Sequence, residues 1–253
     1  MHKDFFKAPI AHRGYHDCGE LFGKGRTENS LSAVEAAIDM GYAIEIDLQI
    51  TQDGFPLAYH DYDLKRLVGQ DMKLRETSYT DVRKFLLPNG ERIPSLNEIL
   101  DLVNGRVPIF FEIKTQDSGL GSKIGLLEKK VADSLKNYTG LVAIMSYNPF
   151  SVFHVGNLIP HIPRGLVTDQ FSNKEWPNLS ESYRLSLKKI NYSTPLKVSF
   201  ISHDFRDLKN SIITKQKDLD IEILCWTVRN MEVAVKSLEI ASNITFEGFE
   251  AKI

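Results

Sequence analysis

The chain has 253 residues, of which 42% are hydrophobic and 25% are charged. These proportions are typical of a folded globular protein and exclude a disordered or collagen-like chain. The 31 basic and 33 acidic residues leave a net charge of -2. This balance gives no electrostatic support for a nucleic-acid-binding protein, because such proteins usually carry a basic excess.

The length fits two small domains or one large α/β domain. No Ser-, Pro- and Gly-rich linker divides the chain, so we expect a single domain over residues 1–253. Cys18 and Cys225 lie far apart and are too few for a disulfide scaffold or a thiolate zinc site. We also see no signal-peptide-like segment and no apolar stretch of the roughly 20 residues a membrane helix needs. We therefore expect a cytoplasmic protein without stable membrane association.

Short β-like runs alternate with helical patterns along the chain, which is typical of βα units around a parallel sheet. One helix opens at Ser30 and ends at Gly41, and a second opens with a capping box at Ser95 and Glu98. Residues 61–94 are polar and less periodic, which indicates a small insertion. The predicted strands are 9–12, 43–50, 55–60, 108–114, 141–146, 164–168, 197–203, 222–228 and 243–246.

Nine strands are one too many for an eight-stranded barrel. The runs 43–50 and 55–60 are separated by only four residues, which is too short for a helical crossover. Asp53-Gly54 between them favours a tight hairpin. We therefore predict that 55–60 returns antiparallel and that the other eight strands form an α/β fold, a TIM (β/α)8 barrel variant. An open doubly wound sheet and a barrel of another strand count are the alternatives.

Polar residues occur where the predicted parallel strands end, which is where the chemistry of a (β/α)8 barrel lies. Acidic side chains in apolar strands are costly unless they are paired or bind a metal. Six such polar residues belong to the first three parallel strands: His12, Arg13, Glu45, Asp47, Glu112 and Lys114.

The hairpin adds a seventh residue to this group. A two-residue turn at Asp53-Gly54 pairs Gln52 with Phe55 and, counting outward, Asp47 with His60. Directly paired residues have Cβ atoms about 5 Å apart on the same face. The register thus predicts that His60 lies beside Asp47. His203 is a further histidine at a strand end and a candidate for the same mouth.

These residue types divide into three chemical roles. The carboxylates of Glu45, Asp47 and Glu112 suit a hard cation such as Mg²⁺ or Ca²⁺. Two histidines suit general acid and base catalysis near neutral pH. Arg13 and Lys114 suit a phosphate group. Together they predict metal-assisted cleavage of a phosphoester.

Seven short motifs follow one another along the chain: His12-Arg13-Gly14, Glu28-Asn29, Glu45-Ile46-Asp47, Asp53-Gly54, His60-Asp61, Glu112-Ile113-Lys114 and Cys225-Trp226-Thr227-Val228. In this order they resemble the motifs of glycerophosphodiester phosphodiesterases. The likeness runs from about residue 8 to residue 246. It implies a TIM barrel that hydrolyses a small-molecule glycerophosphodiester to glycerol 3-phosphate and an alcohol.

The resemblance implies a role for each matching residue. It makes Glu45, Asp47 and Glu112 the ligands of the divalent metal. It makes His12 and His60 the acid/base pair, and Arg13 and Lys114 the phosphate contacts. Trp226 matches a pocket-lining residue, with barrel packing as the alternative. Glu28 and Asn29 match a segment that orients the ligands, with simple helix-start residues as the alternative.

Three departures from the family pattern concern the loops. The stretch 15–26 is longer than usual, Thr27 replaces a proline, and Glu247 follows the last strand where Thr-Asp or Thr-Asn is common. We expect Glu247 to lie near the mouth. The alternative functions are a phospholipase D-like, lysophospholipase D-like or phosphoinositide phospholipase C-like enzyme on a related barrel, or a non-catalytic phosphate-ligand binding protein. The oligomeric state is open.

Overall fold

The computed structural model describes residues 1–17, 25–117, 119–190 and 193–252. Cys18 and most of the long stretch before Thr27 lie outside the described residues. The strands are β1 (Ile10–Ala11), β2 (Ala43–Ile50), β3 (Pro56–Ala58), β4 (Ile109–Ile113), β5 (Val142–Ser146), β6 (Arg164–Thr168), β7 (Phe200–Asp204), β8 (Glu222–Val228) and β9 (Asn243–Phe246).

Eight of these strands close into a parallel barrel. β1 pairs in parallel with both β2 and β9, and the remaining neighbours follow in the order β9-β8-β7-β6-β5-β4-β2. The predicted closed barrel is therefore confirmed, and the open doubly wound sheet is excluded. β3 stands outside the ring and pairs antiparallel with β2.

The helices lie between the strands, and several begin with the capping residues that the sequence indicates. The Ser30 side chain accepts from the Ala33 N–H, and Ser95 and Glu98 form a capping box. None of the described helices is long and apolar enough to cross a membrane. They are α1 (Leu31–Asp39), α2 (Lys65–Val68), α3 (Tyr79–Val82), α4 (Leu96–Val103), α5 (Leu126–Leu135), α6 (Pro149–Leu158), α7 (Glu181–Lys188), α8 (Ser211–Thr214) and α9 (Met231–Leu238).

The inside of the barrel is filled by aromatic and aliphatic side chains. The ring of Phe110 packs edge-on against Phe5 and Phe200, with centroids 5.4 and 5.7 Å away. Gly165 on β6 makes room for this layer, because a Cβ there would lie 2.4 Å from the Phe200 ring. The packed interior forms a rigid floor beneath the polar mouth.

The register of β2 with β3 differs from the prediction by one residue. Leu48 pairs with Ala58, so the predicted pairing of Asp47 with His60 is wrong. The Thr51 N–H donates to the Phe55 carbonyl, which leaves three residues in the loop instead of two. Gly54 takes the left-handed position (φ +87°) of this three-residue turn. His60 still lies at the mouth, because β3 ends at Ala58 and the chain leaves the sheet before it.

The segment after β3 packs around a small core of its own. Tyr59, Leu64, Leu74 and Val82 are fully buried there and contact one another in a cluster separate from the barrel core. Only short helices form within it. The predicted insertion is thus a compact cap beside β2, and it brings residues 60–66 to the mouth.

Candidate functional site

Three carboxylates meet at the mouth of the barrel. Glu45 and Asp47 project from β2 and Glu112 from β4, and their side chains are 2%, 1% and 11% exposed. One oxygen of each lies within 4.8 Å of the others. Such close, buried like charges repel each other unless cations lie among them.

Two basic side chains lie among these acids. The Lys114 Nζ is 2.8 Å from both Asp47 Oδ1 and Glu112 Oε1. The Arg13 Nε is 3.2 Å from Asp47 Oδ2. Burial alone would raise the pKa of Asp47, but Lys114 and Arg13 hold that pKa well below its usual value. Asp47 is therefore ionised.

Lys114 and Arg13 compensate the charge of Glu45 less completely than that of Asp47. Its Oε2 accepts the Arg13 backbone N–H at 3.0 Å, whereas Oε1 is buried and has no hydrogen-bond partner among the described residues. Burial, together with the charges of Asp47 and Glu112, raises the pKa of Glu45 well above its ordinary value. An unpartnered buried oxygen beside two further carboxylates is a donor set that fits a hard divalent cation.

The turn after β1 is built to hold this geometry. Arg13 has a left-handed backbone (φ +54°), and the next residue, Gly14, is also left-handed (φ +78°). A Cβ at Gly14 would lie 2.8 Å from the backbone of Ala33, so only glycine fits. This close contact sets the Arg13 N–H against Glu45.

Glu28 and Asn29 do not cap the following helix, because Ser30 is the N-cap of α1. Asn29 instead donates from Nδ2 to Asp47 Oδ2 at 3.0 Å and accepts from the Asp47 N–H at 3.1 Å. Glu28 accepts from Arg13 Nη1 at 2.8 Å. Both side chains therefore position groups that line the mouth, rather than merely starting the helix.

His12 is held by an acid from the far end of the chain. Its Nδ1 lies 2.5 Å from Glu247 Oε2, and its Nε2 lies 3.9 Å from Glu45 Oε2. Glu247 Oε1 in turn accepts from Arg229 Nε at 2.8 Å. Burial outweighs the neighbouring carboxylate and lowers the pKa of His12 to about 4. His12 is consequently neutral at pH 7.

His60 belongs to a second chain of ion pairs. Its Nδ1 lies 2.7 Å from Asp61 Oδ1, and Asp61 Oδ2 accepts from Arg66 Nε at 2.6 Å. Arg66 also donates to Glu28, which links His60 to Arg13. Sequence reasoning missed Arg66, because it comes from the cap, where no periodic pattern places it.

These residues enclose a cavity of about 230 Å³. The Trp226 ring lies 6.0 Å from that of Tyr147, and its Nε1 donates to the Ser202 carbonyl. His203 does not face the mouth, because its Nδ1 bonds Thr168 Oγ1 at 2.8 Å and its neighbour Ser202 lines the cavity. The cavity is lined by His12, Arg13, Glu45, His60, Glu112, Lys114, Met145, Tyr147, Val167, Ser202, Trp226, Thr227, Arg229 and Thr245.

Comparisons with known proteins agree with this architecture. The chain is 32% identical over 172 residues to a glycerophosphodiester phosphodiesterase of Caldanaerobacter subterraneus subsp. tengcongensis, a match over 62% of this chain. The chain spans 65% of the length of that relative. It is also similar to bovine glycerophosphodiester phosphodiesterase 1, with 33% identity over 42% of this chain and 33% of that protein.

Solved structures share the fold. A phosphodiesterase of Oleispira antarctica, solved with the product sn-glycerol-3-phosphate, has a TM-score of 0.75 at 20% identity and covers 96% of this chain and 93% of its own. A glycerophosphodiester phosphodiesterase of Thermotoga maritima has a TM-score of 0.72 at 19% identity, with 94% of each chain covered. The model of the glycerophosphoryl diester phosphodiesterase family matches residues 12–243. The chain belongs to that family.

Proposed function

We propose that this protein hydrolyses glycerophosphodiesters to glycerol 3-phosphate and an alcohol with the help of a divalent metal. The observation that carries the proposal is the placement of His12 and His60 around one cavity with Glu45, Glu112 and Lys114. Two acid/base groups, an acidic cluster and cations in one cavity are the parts that phosphodiester cleavage requires.

Glu45, Asp47 and Glu112 would hold the metal, and their oxygen donors favour Mg²⁺ or Ca²⁺. A bound divalent cation supplies Lewis-acid stabilisation of the negative charge on a phosphoryl group. Arg13 and Lys114 would orient the phosphate. Burial opposes their charge, but the carboxylates of Asp47 and its neighbours raise the pKa of both groups, so both remain protonated.

The two histidines would divide the proton transfers. Because Glu247 holds the Nδ1 of His12, its Nε2 is the nitrogen that accepts a proton from the nucleophile. Asp61 likewise holds the Nδ1 of His60, and we assign His60 the donation of a proton to the leaving alcohol. The nucleophile is water or the 2-hydroxyl of the glycerol. Phosphorus NMR during turnover separates the two, since the second forms a cyclic phosphate.

The test is turnover of glycerophosphoethanolamine, glycerophosphocholine and glycerophosphoglycerol with Mg²⁺ or Ca²⁺ and with chelator, measured as glycerol 3-phosphate released. His12→Ala and His60→Ala should each lower kcat by about 10²–10⁴-fold. His2→Ala is the matched control, because that side chain is 63% exposed and lies near the N-terminus. Near wild-type rates in both active-site variants would refute the assignment. Cleavage of lysophospholipids but not of these glycerophosphodiesters would favour the lysophospholipase D-like alternative.

A further inference from the structure

A second cavity of about 410 Å³ opens beside the proposed active site. Four residues line both cavities: His60, Glu112, Lys114 and Tyr147. The second cavity therefore lies directly next to the groups assigned to the phosphate. One of the two substituents on that phosphate, the glycerol or the alcohol, would extend into it.

One wall of this cavity is aromatic and fixed in place. The Trp176 ring lies 5.0 Å from Tyr147 and 5.5 Å from Phe171, measured between centroids. Trp176 Nε1 donates to Asp169 Oδ2 at 2.9 Å. Because this donor is already used inside the protein, Trp176 offers the cavity a π surface rather than a hydrogen-bond donor. Tyr62 adds a third ring, half exposed, from the cap.

The charges on the lining have an acidic excess. Asp61 is paired with His60 and Arg66, and Glu112 is paired with Lys114. Asp63 accepts the Lys65 backbone N–H at 3.0 Å but has no cationic side-chain partner among the described residues. This carboxylate at the rim of an aromatic cavity is free to balance a positive charge on a ligand.

We propose that this second cavity, with Trp176, Tyr147, Tyr62 and Asp63, binds a quaternary ammonium group on the alcohol side of the substrate, as in a choline ester. The inference rests on the proposed function. Aromatic faces attract cations, and a quaternary ammonium has no N–H that would need acceptors. A primary ammonium is more strongly hydrated, so aromatic faces compensate less of the hydration that it loses on binding.

Binding of choline itself tests the subsite without any turnover. Isothermal titration calorimetry of the whole protein should give a dissociation constant about tenfold lower for choline than for 3,3-dimethylbutan-1-ol, its uncharged isostere. Trp176→Leu should abolish the difference, whereas Trp176→Phe should retain most of it. Equal binding of the two compounds, or no binding of choline, would overturn the proposal.

Kinetics test the same cavity during catalysis. The ratio of kcat/KM for glycerophosphocholine to that for glycerophosphoglycerol should fall about tenfold in Trp176→Leu and severalfold in Asp63→Asn. Phe153→Leu, an exposed aromatic on α6, is the control that should leave the ratio unchanged. A wild-type ratio in Trp176→Leu would refute the subsite alone. Absence of turnover of every diester would refute the proposed function, while the choline titration would still decide the subsite.

Discussion

In the proposed mechanism, Glu247 determines which nitrogen of His12 accepts the proton, so Glu247→Gln should impair the reaction without removing any group that touches the substrate. The carboxylate lies 2.5 Å from Nδ1 and would stabilise the imidazolium that forms when Nε2 accepts a proton. Replacing it with a neutral amide leaves a hydrogen-bond acceptor but removes its charge, and a hydrogen bond to a charged group is worth about 1.5–3 kcal/mol. If the transition state loses this much stabilisation, kcat should fall roughly 10- to 150-fold.

The assay is release of glycerol 3-phosphate at saturating substrate, with KM determined separately. The effect should be confined to kcat, because Glu247 is placed to act through His12. Glu250→Gln is the matched control, since Glu250 is a more exposed acid of the same segment that pairs with Lys252. Thermal melts of both variants keep changes in folding apart from changes in chemistry. A kcat within twofold of wild type in Glu247→Gln would refute the positioning role.

Three further predictions concern stability. Gly165→Ala places a methyl 2.4 Å from the Phe200 ring and should lower the free energy of unfolding by about 1–3 kcal/mol in urea titrations, with partial recovery on adding Phe200→Leu. The pKa of His12 falls from 6.5 to about 4 on folding, so the unfolded state binds more protons than the folded state between these pH values. As the pH is lowered from 6.5 to 4, His12 alone should therefore reduce the free energy of unfolding by up to about 3 kcal/mol. His12→Asn should flatten this pH dependence of the free energy of unfolding. If the wild type and the variant lost stability equally between pH 6.5 and 4, the prediction would be contradicted. Glu45→Gln removes the free-energy cost of burying this acid, which its raised pKa reflects, and should raise the melting temperature of the metal-free protein. The variant should also lose the stabilisation of about 2.7 kcal/mol expected at a metal concentration of 100 Kd.

The barrel could be predicted because its strands are short, apolar and regularly separated by helices. The bounds of β2, β6, β8 and β9 match the prediction at both ends. β7 does not, since it begins at Phe200 instead of residue 197. Lys197 has a left-handed backbone (φ +51°), so the chain is still turning there. Propensity alone does not reveal such a backbone conformation at a lysine.

The predicted position of His60 at the mouth is correct, although the hairpin register from which it was predicted is wrong. Thr51 Oγ1 accepts the Phe55 N–H, and Asp53 Oδ1 accepts the N–H of Tyr79 from the cap. Both bonds stabilise the three-residue loop, and the second depends on a residue 26 positions away. A slip of one residue normally moves a side chain to the other face of the sheet. His60 escapes this consequence because it lies beyond the end of β3.

The groups that sequence reasoning missed come from segments without periodicity. Arg66 belongs to the cap, and Trp176 follows β6 in a loop that packs Phe171 against Leu179. Their positions depend on tertiary contacts between loops, which no local pattern encodes. By contrast, Glu247 directly follows a regular strand, and for that reason its place near the mouth could be anticipated.

The charge balance at the mouth leads to a last prediction. The three carboxylates face two cationic side chains among the described residues, Arg13 and Lys114, and burial together with the neighbouring acids raises the pKa of Glu45. A divalent cation would reverse that balance and favour ionised Glu45, so metal binding should release up to about one proton. Calorimetry with Mg²⁺ or Ca²⁺ in buffers of different ionisation enthalpy measures this number. Metal binding to the Glu45→Gln variant should release clearly fewer protons than metal binding to the wild type. If the wild-type protein bound the metal without releasing any, Glu45 would already be ionised in the metal-free protein and this prediction would be refuted.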